Sequence, residues 1–345
     1  MAAALGEIEP DCRISFIGTR RGLEARVVPA QGFPLDFISI GGFLGKGPAD
    51  RIRFPFQMAL STMQSIRHLR RRKPEAVLGT GGYVCAPPVL AARLLGIPAY
   101  LLALDAMPSK AVRMLARHAR RVFAGFPECA DHIGQPEKVV YTGNPLRGDL
   151  NRHSREEGLG EFGLDPGKKT ILVYGGSQGA HSINLNVAGA ISAQGGKWSG
   201  IQFIFQTGKQ DYDLVRNKVA GAPARAIVMP YIEKMSLAFS ASDLVISRSG
   251  STVSEILACG LPSILVPYPH AASNHQEHNA RSLEKNGAAV VVIDAELTAD
   301  RISVEIDRII DNRELLKRMN GKARASAKPG AARDIARRLV EAAGK

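Results

Sequence analysis

Three polar loops carry the residues best suited to chemistry. Gly175-Gly176-Ser177-Gln178-Gly179-Ala180 follows the apolar run Thr170–Tyr174. Strand, glycine loop and helix in that order make a phosphate cradle. Glycines let the backbone approach the anion, the helix N-terminus attracts it, and Ser177 adds a hydroxyl donor. The second loop, Ser247–Ser251, ends the run Leu244–Ile246 and leads into a helical segment, Val253–Cys259, stopped by Gly260 and Pro262. Ser251 or Thr252 caps that helix, Val253 and Ser254 open it, and Glu255 supplies a carboxylate in its first turn. The third loop breaks the run Ser263–Val266 at Pro267 and Pro269, and sets Asn274, His275, Gln276 and Asn279 at the head of another helix. Hydroxyl, amide and carboxylate groups at the carboxyl ends of strands read a sugar or a ribose through several hydrogen bonds. Ile232 stands between a strand and a helix, where its backbone can meet a base edge.

A weaker glycine loop, Gly79-Thr80-Gly81-Gly82-Tyr83, follows the short strand Ala76–Leu78. Other constellations fail on spacing. His275 and His278 lie three apart without a third ligand, so no metal site is expected. GGSQG resembles a nucleophile elbow but is not read as one, and no GxxxxGK[ST] is present. The basic charge suits DNA, yet no helix-turn-helix or finger motif accompanies it, so no nucleic-acid partner is expected.

These loops need an α/β scaffold, and 345 residues suffice for two domains of ordinary size. Apolar residues make up 45% and charged residues 22%, a balance that permits buried cores. Cys12, Cys85, Cys129 and Cys259 form no CxxC pair, which points to a reducing compartment. No apolar run reaches 18 residues, and no secretion signal opens the chain, so no spanning helix or leader is expected. Net charge is +13, and residues 1–150 carry 20 Lys+Arg against 12 Asp+Glu, a balance that favours an anionic partner. Lys46, Arg51, Ile52, Arg53, Phe54 and Phe56 interleave basic and apolar groups, as a patch that touches anionic lipid would. A helix is expected from Pro55, its face Phe56, Leu60, Met63 and Ile66 turned to the core and Arg70–Lys73 ending it.

Strands are expected at Arg13–Gly18, Ala76–Leu78, Tyr100–Ala103, Arg121–Ala124 and Val139–Tyr141, and again at Thr170–Tyr174, Ile201–Thr207, Ala226–Met229 and Leu244–Ile246. Ala2–Ile8 reads as the tail of a helix, and Ala299–Ala343 as three helical segments. The expected division is an N-terminal domain at 1–145, a linker at 146–169 and a C-terminal domain at 170–345, whose last helix packs back on the first domain.

Four of these segments, with others, resemble a known family. Gly143–Arg147 (GNPLR), Gly175–Ala180 (GGSQGA), Ser247–Glu255 (SRSGSTVSE) and His275–Ala280 (HQEHNA) fall in the order and spacing of the MurG family. Phe16–Val28, Pro34–Gly47 and Gly79–Val84 also match, so the resemblance covers nearly the whole chain. It implies the GT-B fold, two Rossmann-like doubly wound domains around a cleft. It further implies an inverting transfer of N-acetylglucosamine from UDP-N-acetylglucosamine to lipid I, giving lipid II for peptidoglycan. The work would proceed at the cytoplasmic face of the bacterial inner membrane, in cell-wall growth and division, on an undecaprenyl-linked acceptor and without a cofactor. By resemblance the Ile232 backbone meets uracil, Glu255 binds the ribose hydroxyls, and Gly175, Gly176, Ser177 and Gly179 hold the diphosphate. Gln276 reads the sugar, Arg147 lines the nucleotide end, Ser251 to Ser254 line the donor loop, and Gly79 to Tyr83 serve the acceptor.

Three departures from the family pattern stand out. The family opens with a strand and a GGTGGH-type loop whose His is a candidate base, and this chain starts after it. We therefore expect an N-terminally shortened form with poor turnover, in which Arg13–Gly18 and Ala76–Leu78 keep unpaired inner edges. The family's HEQN stands here as Leu102-Ala103-Leu104-Asp105, so its donor-contacting Asn is Asp105; without the GGTGGH-type loop the catalytic base is unassigned, and Asp105 is the fallback. The SRSGSTVSE loop is one residue short.

Overall fold

Twelve strands pair in parallel among the described residues, which are 1–41, 48–148, 150 and 152–343 of a computed structural model. Two compact units hold them, Met1–Pro145 with Gly330–Lys345, and Leu146–Pro329. In the first unit β1 (Phe16–Gly18) pairs with β2 (Leu35–Phe37). A separate sheet runs β3 (Val77–Gly79), β4 (Ala99–Ala103), β5 (Arg121–Ala124), β6 (Val139–Tyr141) in spatial order. Among the described residues β1 pairs with β2 alone and β3 with β4 alone.

All five residues of β4 are buried, as a strand covered on both faces requires. Leu101, Ala103, Val122 and Ala124 pack with Val89 and Val112 of the helices Ala86–Leu94 and Lys110–Leu115. On the other face Tyr100 and Phe123 stack with centroids 5.8 Å apart. Leu5 of helix Ala2–Ile8, and Ile335 and Leu339 of helix Ala331–Ala343, complete that layer.

The helix expected from Pro55 runs from Pro48 to Arg72, with Pro55 inside it. Its orientation also differs from expectation. Phe56, Leu60 and Met63 are exposed, whereas Ile66 packs against the core as expected and Ser61, Ser65 and Leu69 are buried. The helix packs against Ala86–Leu94, Ser61 Oγ donates to the Ser39 carbonyl at 2.8 Å, and Ser65 Oγ donates to the Ser61 carbonyl at 2.7 Å. Of the membrane-patch residues, Arg53, Phe54 and Phe56 lie on this helix, while Lys46 and the side chains of Arg51 and Ile52 lie outside the described residues. Strand β2 was not expected from sequence. Its central Asp36 is buried against Arg71 and Arg72, the latter at 3.0 Å, a pairing 35 and 36 residues distant in the chain.

The second unit has one six-stranded sheet. Its strands are β7 (Lys169–Tyr174), β8 (Ile201–Gln206), β9 (Arg225–Met229), β10 (Leu244–Ser247), β11 (Ser263–Leu265) and β12 (Ala289–Val291). Their spatial order, β12-β11-β10-β7-β8-β9, reverses direction between β7 and β10. At such a switch point the loops after the two strands diverge to opposite faces and leave a crevice at the carboxyl ends. Helix His181–Ala193 covers one face with Ile183, Val187 and Ile191, and helix Ala299–Ile310 adds Ile302, Ile306 and Ile309, spaced for one helical stripe. The three helical segments expected at the C-terminus are Ala299–Ile310, Arg313–Ser326 and Ala331–Ala343. Residues 146–169 belong to the second unit and include a helix, Arg155–Glu161, closed by a Ser154–Glu157 capping box.

Candidate functional site

The loop that follows β7 is shaped by glycine. Gly176 and Gly179 take φ of +97° and +78°, a region that side-chain-bearing residues avoid. A β-carbon on Gly179 would lie 1.8 Å from the Thr207 carbonyl oxygen, so only glycine fits. Ser177 is exposed at the tip, and no side chain caps the thirteen-residue helix His181–Ala193 that follows. Its first N–H groups are free of side-chain caps at the end where the helix dipole favours an anion.

The loop after β10 lies across the switch point from it. Glu255 sits in the first turn of helix Val253–Ala258, its side chain 14% exposed, and Arg147 Nε lies 3.2 Å from Oε1. Tyr174, at the end of β7, bonds Thr252 and stands near Glu255, Arg147 and Tyr231. Burial, above all, raises the Tyr174 hydroxyl from its ordinary range, so it is a neutral donor and acceptor. Ser251 is exposed beside it, and Val253 is buried as the helix anchor.

The third loop folds onto the second. Ser249 Oγ donates to the Gln276 carbonyl at 2.7 Å, and Asn279 Nδ2 donates to the Ser249 carbonyl at 3.0 Å. Gln276 Oε1 accepts from the Tyr268 N–H at 3.0 Å, so the amide is fixed by its oxygen and offers its NH2 to a partner. Ser273 and Asn274, just before helix His275–Lys285, both take φ of +54°. Left-handed residues other than glycine are costly and gather where a loop must hold a set shape.

Two residues of this site are not singled out by sequence. Arg248 is nearly buried and binds all around itself: Nη1 donates to the carbonyls of Val266 and Pro267 at 3.1 Å and to Asp294 Oδ1 at 2.5 Å, and Nη2 donates to Ser182 Oγ at 3.0 Å. It thereby joins the loop after β10, the loop after β11 and the first turn after the phosphate loop. The other is Gln206, the last residue of β8 and fully buried. Its only sequence signal is an amide at the carboxyl end of a strand that is apolar apart from Gln202. Ile232 is also buried, and its N–H donates to Gln206 Oε1 at 2.8 Å, so of its two backbone groups the carbonyl is the one left for a base edge.

The residues expected on the acceptor side lie in the first unit. Gly79 ends β3, and Gly81 and Gly82 take φ of +92° and +71° ahead of the turn Tyr83–Cys85 and helix Ala86–Leu94. Burial pushes the Cys85 thiol up to about 11, and the protonated sulfur donates to the Gly82 carbonyl at 3.0 Å. Asp105 follows β4, half-buried near Cys129. The structure thus gathers Arg147, Gly175, Gly176, Ser177, Gly179, Ile232, Ser251 to Glu255 and Gln276 in the second unit, and Gly79 to Tyr83 with Asp105 in the first.

Comparisons with known proteins match the chain in two parts. Residues 1–124 match the glycosyltransferase family 28 N-terminal domain, and residues 170–336 match its C-terminal domain. The chain is 39% identical over 94% of its length, and 89% of the relative's, to the UDP-N-acetylglucosamine--N-acetylmuramyl-(pentapeptide) pyrophosphoryl-undecaprenol N-acetylglucosamine transferase of Thermodesulfovibrio yellowstonii. It is 38% identical to the protein of the same description from Bacillus pumilus, with the same shares covered. The crystal structure of Acinetobacter baumannii MurG superposes with a TM-score of 0.79 at 30% identity, covering 99% of this chain and 95% of that one.

Proposed function

The chain belongs to glycosyltransferase family 28, with the GT-B fold, and from that premise we propose that it moves N-acetylglucosamine from UDP-N-acetylglucosamine to lipid I, giving lipid II for peptidoglycan. The observation that carries this reading is the convergence, at the switch point of one sheet, of a glycine phosphate loop, a first-turn carboxylate and an oriented amide. Each matches one part of the donor: the diphosphate to Gly175–Gly179, the ribose diol to Glu255, the sugar hydroxyls to Gln276 and the base edge to Ile232.

In the transfer, an acceptor hydroxyl attacks the anomeric carbon as the bond from that carbon to the β-phosphate oxygen breaks. The hydroxyl proton passes to a base and UDP departs with the bonding pair, which inverts the anomeric centre. Charge grows on the leaving diphosphate, where the backbone N–H groups and the N-terminus of helix His181–Ala193 are aimed before reaction begins. Asp105 is the carboxylate we assign as base, being at the carboxyl end of β4 beside the glycine loop of the first unit.

The acceptor is lipid-borne, so the protein must work at a surface. Helix Pro48–Arg72 exposes Phe56, Leu60 and Met63, and Met63 and Ile66 line a hollow with Arg67 and Arg70. Apolar groups rimmed by basic ones suit the boundary of an anionic bilayer, here the cytoplasmic face of the inner membrane. Among the described residues no helix is long and apolar enough to cross it. Incubation with labelled UDP-N-acetylglucosamine and a lipid I analogue should give labelled lipid product and one UDP per transfer. Tight UDP binding without any product would overturn the assignment as a transferase.

A further inference from the structure

We infer that Gln206 is a positioning residue that locks the nucleobase end of the donor site to its diphosphate end. The inference rests on the donor reading above. Gln206 is 0% exposed, and both ends of its amide are engaged. Oε1 accepts the Ile232 N–H at 2.8 Å, and Nε2 donates to the Gly176 carbonyl at 2.9 Å. One planar group therefore spans from the loop after β9 to the loop after β7. A buried amide has no water to turn to, so a shift of either loop would leave a polar atom unmet.

The surrounding backbone makes the tie stiff. Residues Gln206-Thr207-Gly208 lie directly on the phosphate loop. A β-carbon on Gly208 would come 2.0 Å from the Gln178 carbonyl oxygen, and the Gly179 contact with Thr207 is equally close. Asn184 Nδ2, from the helix that the phosphate loop opens, donates to the Thr207 carbonyl at 2.8 Å. An ordering of the phosphate loop by an anion is thus passed through Gly176 and Gln206 to Ile232, and a base at Ile232 orders the loop in return. Reciprocity of this kind is required of any coupling between two binding events.

The same strand supplies its own control. Gln202 is also 0% exposed and fully bonded, its Nε2 donating to the Asp165 carbonyl at 2.8 Å and to Thr170 Oγ1 at 3.0 Å. Those partners lie at the opposite end of the strand, away from the three donor loops. A buried amide that merely stabilises the core would behave the same at either position.

The test is calorimetric titration of uridine and of UDP into the intact protein, Gln206→Met and Gln202→Met. Gln206→Met should weaken UDP at least tenfold and shrink the ratio of UDP to uridine affinity. Gln202→Met should keep both affinities within twofold despite a similar fall in melting temperature. If Gln206→Met binds UDP as the unaltered protein does, or both variants lose affinity alike, the inference fails while the donor reading stands. If the unaltered protein binds no UDP, the donor reading itself fails and takes the inference with it. A second measurement needs no variant: inorganic diphosphate added to the unaltered protein should slow amide hydrogen exchange at Ile232. Unchanged exchange at Ile232 with diphosphate bound would overturn the coupling.

Discussion

The second unit carries one unbroken sheet of six strands, and its functional loops are tied to one another by buried side chains. Among the described residues the first unit carries its strands in two sheets, and the Cys85 thiol bonds its glycine loop at the Gly82 carbonyl. In the second, Arg248 and Gln206 together join the segments after β7, β9, β10 and β11. In the proposed function the contrast follows from what each half grips. A nucleotide sugar is small, rigid and densely polar, so a pre-set array of donors and acceptors holds it at low entropic cost. In the proposed function a lipid-borne acceptor is long and arrives from a bilayer, a demand that the exposed helix face of the first unit suits.

The largest expected effect compares two glycines of positive φ. Gly179→Ala should cost about 3 kcal/mol or more, because left-handed strain of roughly 1–2 kcal/mol adds to displacement of the Thr207 backbone. Gly81→Ala should cost only that strain, roughly 1–2 kcal/mol, since its nearest neighbour, the Leu102 carbonyl oxygen, is 3.7 Å from the added carbon. Denaturant titration of both variants checks this, and UDP binding should be lost in Gly179→Ala and kept in Gly81→Ala. Equal costs would erase the distinction between a rigid and a loosely held loop.

The membrane surface comes next. Arg67→Glu with Arg70→Glu should weaken binding to anionic vesicles by about tenfold or more, on roughly 1 kcal/mol per basic residue at the surface. The difference should shrink as salt rises, and UDP affinity should not change. A loss of UDP affinity in step with vesicle binding would mean that the halves are not separable in this way.

The smallest effect concerns acid stability of the first unit. Burial alone would raise the Asp36 carboxyl, but hydrogen bonds and charge from Arg72 and Arg71 outweigh it and hold the group below its ordinary value of 3.8. A depressed carboxylate stabilises the fold above its unfolded pKa, and that contribution is lost as pH falls through the lower folded value. Asp36→Asn should therefore be less stable than the unaltered chain near neutrality and converge on it below about pH 4. Denaturant midpoints measured across that range decide it, and a constant gap at every pH would refute the ion-pair account.

Local pattern revealed the scaffold wherever it was strong. Thr170–Tyr174 followed by glycines, and Leu244–Ile246 followed by a polar turn, announce strands and ligand loops because an apolar run and a sudden change of chemistry are both local facts. Strand β2 was hidden because Asp36 interrupts it, and its burial depends on arginines from a distant helix. On helix Pro48–Arg72, Phe56, Leu60 and Met63 look like a core stripe, but the helix buries Ser61, Ser65 and Leu69 instead, and small polar residues give no apolar signal. Arg248 lay inside the most polar loop, but its partners Ser182 and Asp294 are 66 and 46 residues away. Long-range satisfaction of buried polar groups leaves no periodic trace, and that is where sequence reading stopped.

The central claim is that the switch-point loops of the second unit form the donor site, with Glu255 on the ribose. Calorimetric titration of UDP into the unaltered protein and into Glu255→Ala tests it most directly. Loss of charge-assisted hydrogen bonds worth ~1.5–3 kcal/mol should weaken binding roughly ten- to hundredfold. A folded Glu255→Ala protein that binds UDP with unchanged affinity would contradict the account.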